Sequence, residues 1–74
     1  MRKELEDLCI NIFAHCQNDY EITLSGNGTN PCEASNVALS ILSILHGDGS
    51  KWRKDNQKLI DRRAKKIVIL YGER

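Results

Sequence analysis

Apolar residues recur at helical spacing in three parts of the chain. Leu5, Leu8, Cys9, Ile12, Phe13 and Cys16 follow the three-and-four step of one buried face, which predicts a first helix over about 3–17. Lys3 and Asp7 on its other side are spaced to pair. The second helix is expected at 31–46. Asn30 is placed to cap it, Pro31 suits its first turn, and Glu33 completes an Asn-x-x-Glu box. Gly47 stops it, with His46 in the last turn, where a protonated imidazole suits the helix dipole. The third helix is expected over about 50–71, begun by a cap at Asp48 or Ser50, with Trp52, Leu59, Ile60, Ala64, Ile67 and Tyr71 on one face and Gly72 as its stop. Val68 and Ile69 make its last turn apolar on other sides too, so a strand over 66–71 is the alternative there. Between the first two helices, Tyr20, Ile22 and Leu24 alternate with Glu21 and Thr23, an extended and strand-like pattern over 20–25, followed by a turn-rich stretch to Asn30. The fold class expected is therefore all-α, a small three-helix domain spanning 1–74 as one unit.

The second helix breaks the usual pattern. In the stretch VALSILSIL, Val37 to Leu45, seven of nine residues are apolar. On a helical wheel, Glu33, Asn36, Ser40, Ser43 and Gly47 form a polar stripe of roughly 80°, which leaves roughly 220–240° apolar where an ordinary surface helix shows a little over 100°. Val37, Ile41, Ile44 and Ala34 lie on one side of the stripe, and Leu45, Ala38, Leu42 and Leu39 lie round to the other. Two arrangements would cover such an arc: a central position flanked by the other helices and the extended segment, or contact with another subunit. The flanking elements are too few for the whole arc, and Ile10 and Ile69 add apolar surface on the backs of the outer helices. A symmetric homodimer is the expectation, with Val37, Ile41, Leu42, Leu45, Ile10 and Ile69 in its interface. Burial of three further Leu or Ile side chains per subunit would contribute roughly 5–8 kcal/mol before association entropy is subtracted.

Length strengthens that expectation. A chain of 74 residues is one small domain, and such chains bury only about 60% of their unfolded surface, so many depend on a disulfide, a metal or a second subunit. A disulfide is not expected. Cys9, Cys16 and Cys32 are odd in number, and Cys9 and Cys16 on one helix would sit about 10 Å apart along its axis. The opening MRKELEDL places acids where a secretion signal carries an apolar core, so a cytoplasmic location with reduced thiols is expected, and Asn27-Gly-Thr29 is not read as a glycosylation site. No apolar run approaches the roughly 18 residues that span a bilayer, and no membrane association is expected.

Charge adds a direction. The chain is +1 overall, but residues 1–46 carry two basic residues against six acids, net −4, and residues 47–74 carry nine against four, net +5. Lys51, Lys54, Lys58, Arg62, Lys65 and Lys66 fall on one face of the expected third helix, a row about 22 Å long. Such a row suits an acidic protein partner or the phosphates of DNA or RNA, with Asn56 or Gln57 as base readers in the latter case. Asp55 and Asp61 interrupt it and are spaced to pair with Lys51, Lys58 or Lys65. The near-zero whole-chain charge and the lack of stacking aromatics favour protein over nucleic acid. Arg63 falls in the apolar stripe, to be resolved by reaching solvent or by pairing with Glu21 or Glu33.

Candidate chemistry is sparse. His46, Asp48 and Ser50 are hydrolase residue types, but a helix stop, a turn and a cap account for them, and triads are assembled from distant segments. Ser25–Asn30 has two glycines without the Gly-Lys-Ser/Thr that marks a phosphate loop. Cys9, His15, Cys16, Cys32 and His46 show no zinc-ligand spacing. No catalytic residue, metal, cofactor or small-molecule substrate is assigned, and an enzyme is not expected. The function expected is that of a small non-enzymatic interaction module. It would be a homodimeric cytoplasmic regulator or inhibitor of another macromolecule, of the size and type of phage or mobile-element accessory proteins. A DNA- or RNA-binding regulator using helix 51–66 is the alternative.

Overall fold

The structure, a computed structural model, describes residues 1–18, 20, 22–24, 27–29 and 31–71. It is an all-α domain with helices α1 (Arg2–Gln17), α2 (Pro31–His46), α3 (Gly49–Asp55) and α4 (Gln57–Tyr71). Between α1 and α2, the backbones of β1 (Ile22–Leu24) and β2 (Asn27–Thr29) pair antiparallel, Ile22 opposite Thr29 and Leu24 opposite Asn27. Glu21 and Ser25 of the expected extended segment lie outside the described residues, as do the expected cap Asn30 and the expected stop Gly72.

Helix α2 ends where its sequence requires. Gly47 adopts φ +86°, a left-handed conformation that costs a residue with a Cβ about 1–2 kcal/mol. Gly47 N–H donates to the Ser43 carbonyl at 2.8 Å, closing the last turn. Asp48 then caps α3, its carboxylate accepting from Lys51 N–H at 3.1 Å. Gly49 is held tightly behind it, because a Cβ there would lie 2.5 Å from the Leu39 carbonyl oxygen.

The expected third helix is two helices, α3 and α4, divided at Asn56. The Asn56 side chain donates to the Trp52 carbonyl at 2.8 Å, and its backbone N–H donates to the same oxygen at 3.0 Å. Its own carbonyl accepts from Leu59 and Ile60, which starts the next helix. One residue thus finishes α3 and opens α4, with φ −107° and ψ 19°. Residues 66–71 are the end of α4, and the strand alternative does not occur.

The core draws Cys9, Ile12, Phe13 and Ala14 from α1, Ala34, Ala38 and Leu42 from α2, and Ile60, Ala64 and Ile67 from α4. Helix α1 packs against both α2 and α4, and α2 packs against α1 and α3. The apolar α2 is therefore not flanked by the first and last helices; α1 occupies that place. Ala34 and Ala38 are one turn apart, and their small side chains bring α1 close enough for the Cys9 thiol to lie 3.7 Å from the Ala38 carbonyl. Full enclosure of Ile12, Phe13, Leu42 and Ile60 contributes about 1.5–3 kcal/mol each. No helix among the described residues is long and apolar enough to cross a membrane.

Candidate interaction surfaces

Contacts between α1 and α2 fix which part of the apolar arc is used. The Arg2 guanidinium donates to the Leu45 carbonyl at 2.9 Å, Glu6 meets His46 Nε2 at 2.8 Å, and Cys9 meets Ala38. The two helices therefore run antiparallel, and α1 lies along the Ala34–Ala38–Leu42–Leu45 side of α2. Gly49 of α3 closes against Leu39 and Ser43. What remains is the shoulder of Val37, Ile41 and Ile44, spaced i, i+4, i+7 along one flank. Ile41 is half-buried, Val37 is 48% exposed and Ile44 is 85% exposed. On α1, Leu8 is also open to solvent and lies between the Glu6–His46 and Cys9–Ala38 contacts.

The expected interface residues are therefore not equivalent. Leu42 is 0% exposed; α1 packs over it, so it cannot meet a second subunit, and its assignment to an interface is corrected. Ile10, Ile41 and Leu45 are half-buried, with Ile10 and Ile41 packed against the core. Val37 and Ile69 are open, Ile69 at 81%. Two residues outside the expected set, Ile44 and Leu70, are among the most exposed apolar side chains described. Ile44 belongs to the same side of the α2 wheel as Val37 and was legible there. Leu70 was hidden by the uncertainty between helix and strand over 66–71.

The basic row is exposed at every position: Lys51, Lys54, Lys58, Arg62, Lys65 and Lys66. Asn56 divides it into a pair on α3 and a quartet on α4. The remaining arginines of this region are structural. Arg53 lies over the Phe13 ring at 4.3 Å from the centroid, a cation–π contact that helps to seal the core. Arg63 donates to Asp7 Oδ1 at 2.7 Å, tying α4 to α1. The expected Arg63 partners do not serve: Glu33 is exposed on α2 with no ion pair among the described residues, and Glu21 lies outside them. The same contact takes Asp7 from its expected partner Lys3. Among the described residues no ion pair engages the six cations of the row. Asp61 instead accepts from Gln17 at 3.0 Å and Gln57 at 3.0 Å, and these hydrogen bonds, with the nearby charge of Lys65, hold its carboxyl below the usual range despite some desolvation.

No family model, curated protein or solved structure matches the chain. The residues themselves carry the reading.

The titratable groups away from these surfaces are engaged structurally. His46 stacks on half-buried Trp52 with ring centroids 5.8 Å apart, and its two ring nitrogens face Glu6 and Arg2. His15, which the apolar pattern passed over, is buried, and its Nδ1–H donates to the Asn11 carbonyl at 2.7 Å. That bond is to the preceding turn of its own helix, so no long-range sequence signal marks it. Burial pushes the Cys9 thiol up from its ordinary value, and the charge of Glu6 adds to the shift. Ser50 is exposed and Asp48 is spent on its cap. Among the described residues no three His, Cys, Asp or Glu side chains gather to hold a metal ion. The Cys32 side chain lies outside those described.

Proposed function

We propose that the chain is a small, non-enzymatic interaction module. It self-associates as a homodimer and regulates or inhibits another macromolecule in the cytoplasm. The observation that carries this reading is the open apolar shoulder of α2, with Ile44 85% exposed on a helix whose other flank fills the core. A side chain of that size left in water forgoes about 1.5–3 kcal/mol of burial, which a partner surface would recover. The interface would centre on Val37 and Ile44, with Ile41 at its edge.

The macromolecular partner would meet the basic row, whose six cations have no ion pair among the described residues. An acidic protein surface is favoured over nucleic acid because the helix break at Asn56 and the near-zero net charge both reduce the match to a regular phosphate track. A titration of duplex DNA binding against salt separates the two: the protein reading expects weak binding at physiological salt. Tight binding with a steep log–log salt slope would establish the nucleic-acid reading instead. Self-association is tested by light scattering over a concentration series, which is expected to show mass rising from one chain towards two.

A further inference from the structure

We propose that a second copy of this chain docks the end of its α4, around Ile69 and Leu70, on the open α1–α2 face around Val37 and Ile44. The proposal rests on the self-association reading above and adds which surface meets which.

Two exposed apolar patches carry opposite charge. On the α1–α2 face, Glu33 stands one turn before Val37 and Glu4 one turn before Leu8, and both carboxylates are exposed. No lysine or arginine occurs from Glu33 to His46. On α4, Lys65 stands one turn before Ile69 and Lys66 one turn before Leu70, and both are exposed. No acid occurs from Arg62 to Tyr71. Residues one turn apart are neighbours on a helix surface, so acids lead into the first patch and lysines into the second; Arg2 is held at the Leu45 carbonyl beside the first, and Asp61, tied to Gln17 and Gln57, lines the groove beside the second. Packing the α1–α2 face on its own counterpart would bring carboxylates together around a desolvated centre. Packing it on the α4 end sets carboxylate beside ammonium, the complementary arrangement that fixes register and partner choice.

Shape agrees with charge. Ile44 projects almost wholly into solvent from α2. Val68 and Ile69 edge an open groove of about 550 Å³ between α4 and the last turn of α1, where Gln17 and Asn18 form the other wall. The groove gives a projecting aliphatic side chain a mostly apolar seat beside Lys65 and Asp61. Used twice about a two-fold axis, the contact closes a dimer, since each copy offers both surfaces. Lys51, Lys54, Lys58 and Arg62 remain for the macromolecular partner, so the basic row is shared between the two contacts.

The test is complementation between two variants. Ile44→Glu and Ile69→Glu change residues that are 85% and 81% exposed, so both should keep the wild-type circular dichroism spectrum. Each alone is expected to sediment as a monomer at a concentration where the wild type associates. An equimolar mixture is expected to associate more strongly than either variant alone, because the mixed dimer keeps one of the two contacts, the α4 end of the Ile44→Glu chain on the α1–α2 face of the Ile69→Glu chain. A mixture that associates no more than either variant alone across the concentration series overturns the proposal, as does an Ile69→Glu chain that associates like the wild type; either leaves self-association standing. A wild-type chain monomeric throughout removes the self-association reading and this proposal with it. A second pair, Lys65→Glu with Lys66→Glu and Glu4→Lys with Glu33→Lys, reaches the same decision through charge alone: each double variant should dissociate and their mixture should reassociate. Failure of that mixture to reassociate counts against the proposal.

Discussion

Leu42 and Ile44 stand two positions apart on α2 in opposite surroundings, Leu42 wholly enclosed by its own chain and Ile44 85% exposed. The contrast separates what the apolar helix does for the fold from what it offers to a partner. Leu42→Ala in dilute protein, where association is absent, should lower stability by about 2–5 kcal/mol through lost burial and a residual cavity. Ile44→Ser under the same conditions should stay within about 0.5 kcal/mol of wild type. Urea unfolding of both variants checks the pair; equal losses would mean that Ile44 is covered within the monomer.

Cys9 and Cys16 lie on one helix but meet different surroundings, the first buried and the second partly exposed. The Cys9 thiol has its pKa raised by burial and by Glu6, so the fold holds it protonated. Its contribution to stability is complete below the ordinary thiol range and is lost as pH rises through the folded-state value. Iodoacetamide labelling followed by peptide mass spectrometry should modify Cys16 first in the native protein, and Cys9 only where the chain unfolds. Comparable labelling rates at the two positions would show that α2 does not cover Cys9 as described.

The Arg63–Asp7 contact is short at 2.7 Å, yet its side chains are 32% and 62% exposed. Solvent screening limits such a pair, and a double-mutant cycle with alanine at both positions should give a coupling of about 0.2–1 kcal/mol that shrinks as salt is added. Zero coupling at low salt would detach α4 from α1 at this point.

Asn56 divides a segment whose apolar spacing reads as one helix. Asn56→Ala removes the side-chain bond to the Trp52 carbonyl and should cost about 0.5–1.5 kcal/mol, even though alanine is the better helix former. A stabilised variant with greater helical content would show that the chain prefers a continuous helix there and that this hydrogen bond does not hold the break.

Those particulars show how far the sequence could be read. The bounds of α2, its stop at Gly47 and the cap at Asp48 were legible because each depends on residues within one turn. The Asn56 break was not, because it depends on the asparagine side chain bonding the Trp52 carbonyl, and the apolar positions keep their spacing across it. The partner of Arg63 depends on how α4 docks on α1, which no local pattern records. The wheel of α2 gave the width of its apolar arc but not which flank α1 would cover, so Leu42 and Val37 looked alike. The small residues Ala34 and Ala38 were the available clue, since α1 approaches where side chains are short. The exposure of the six basic residues was legible from the spacing, and the helix break at Asn56 within their row was not.

Val37 and Ile44 are exposed on α2, and the proposed occupant of that surface is a second copy of the chain. Sedimentation equilibrium over a wide concentration range, on wild type beside Ile44→Glu, tests it most directly. The expected result is reversible association of the wild type and a single-chain mass for the variant at every concentration. A wild-type chain that keeps the single-chain mass up to its solubility limit would contradict the account.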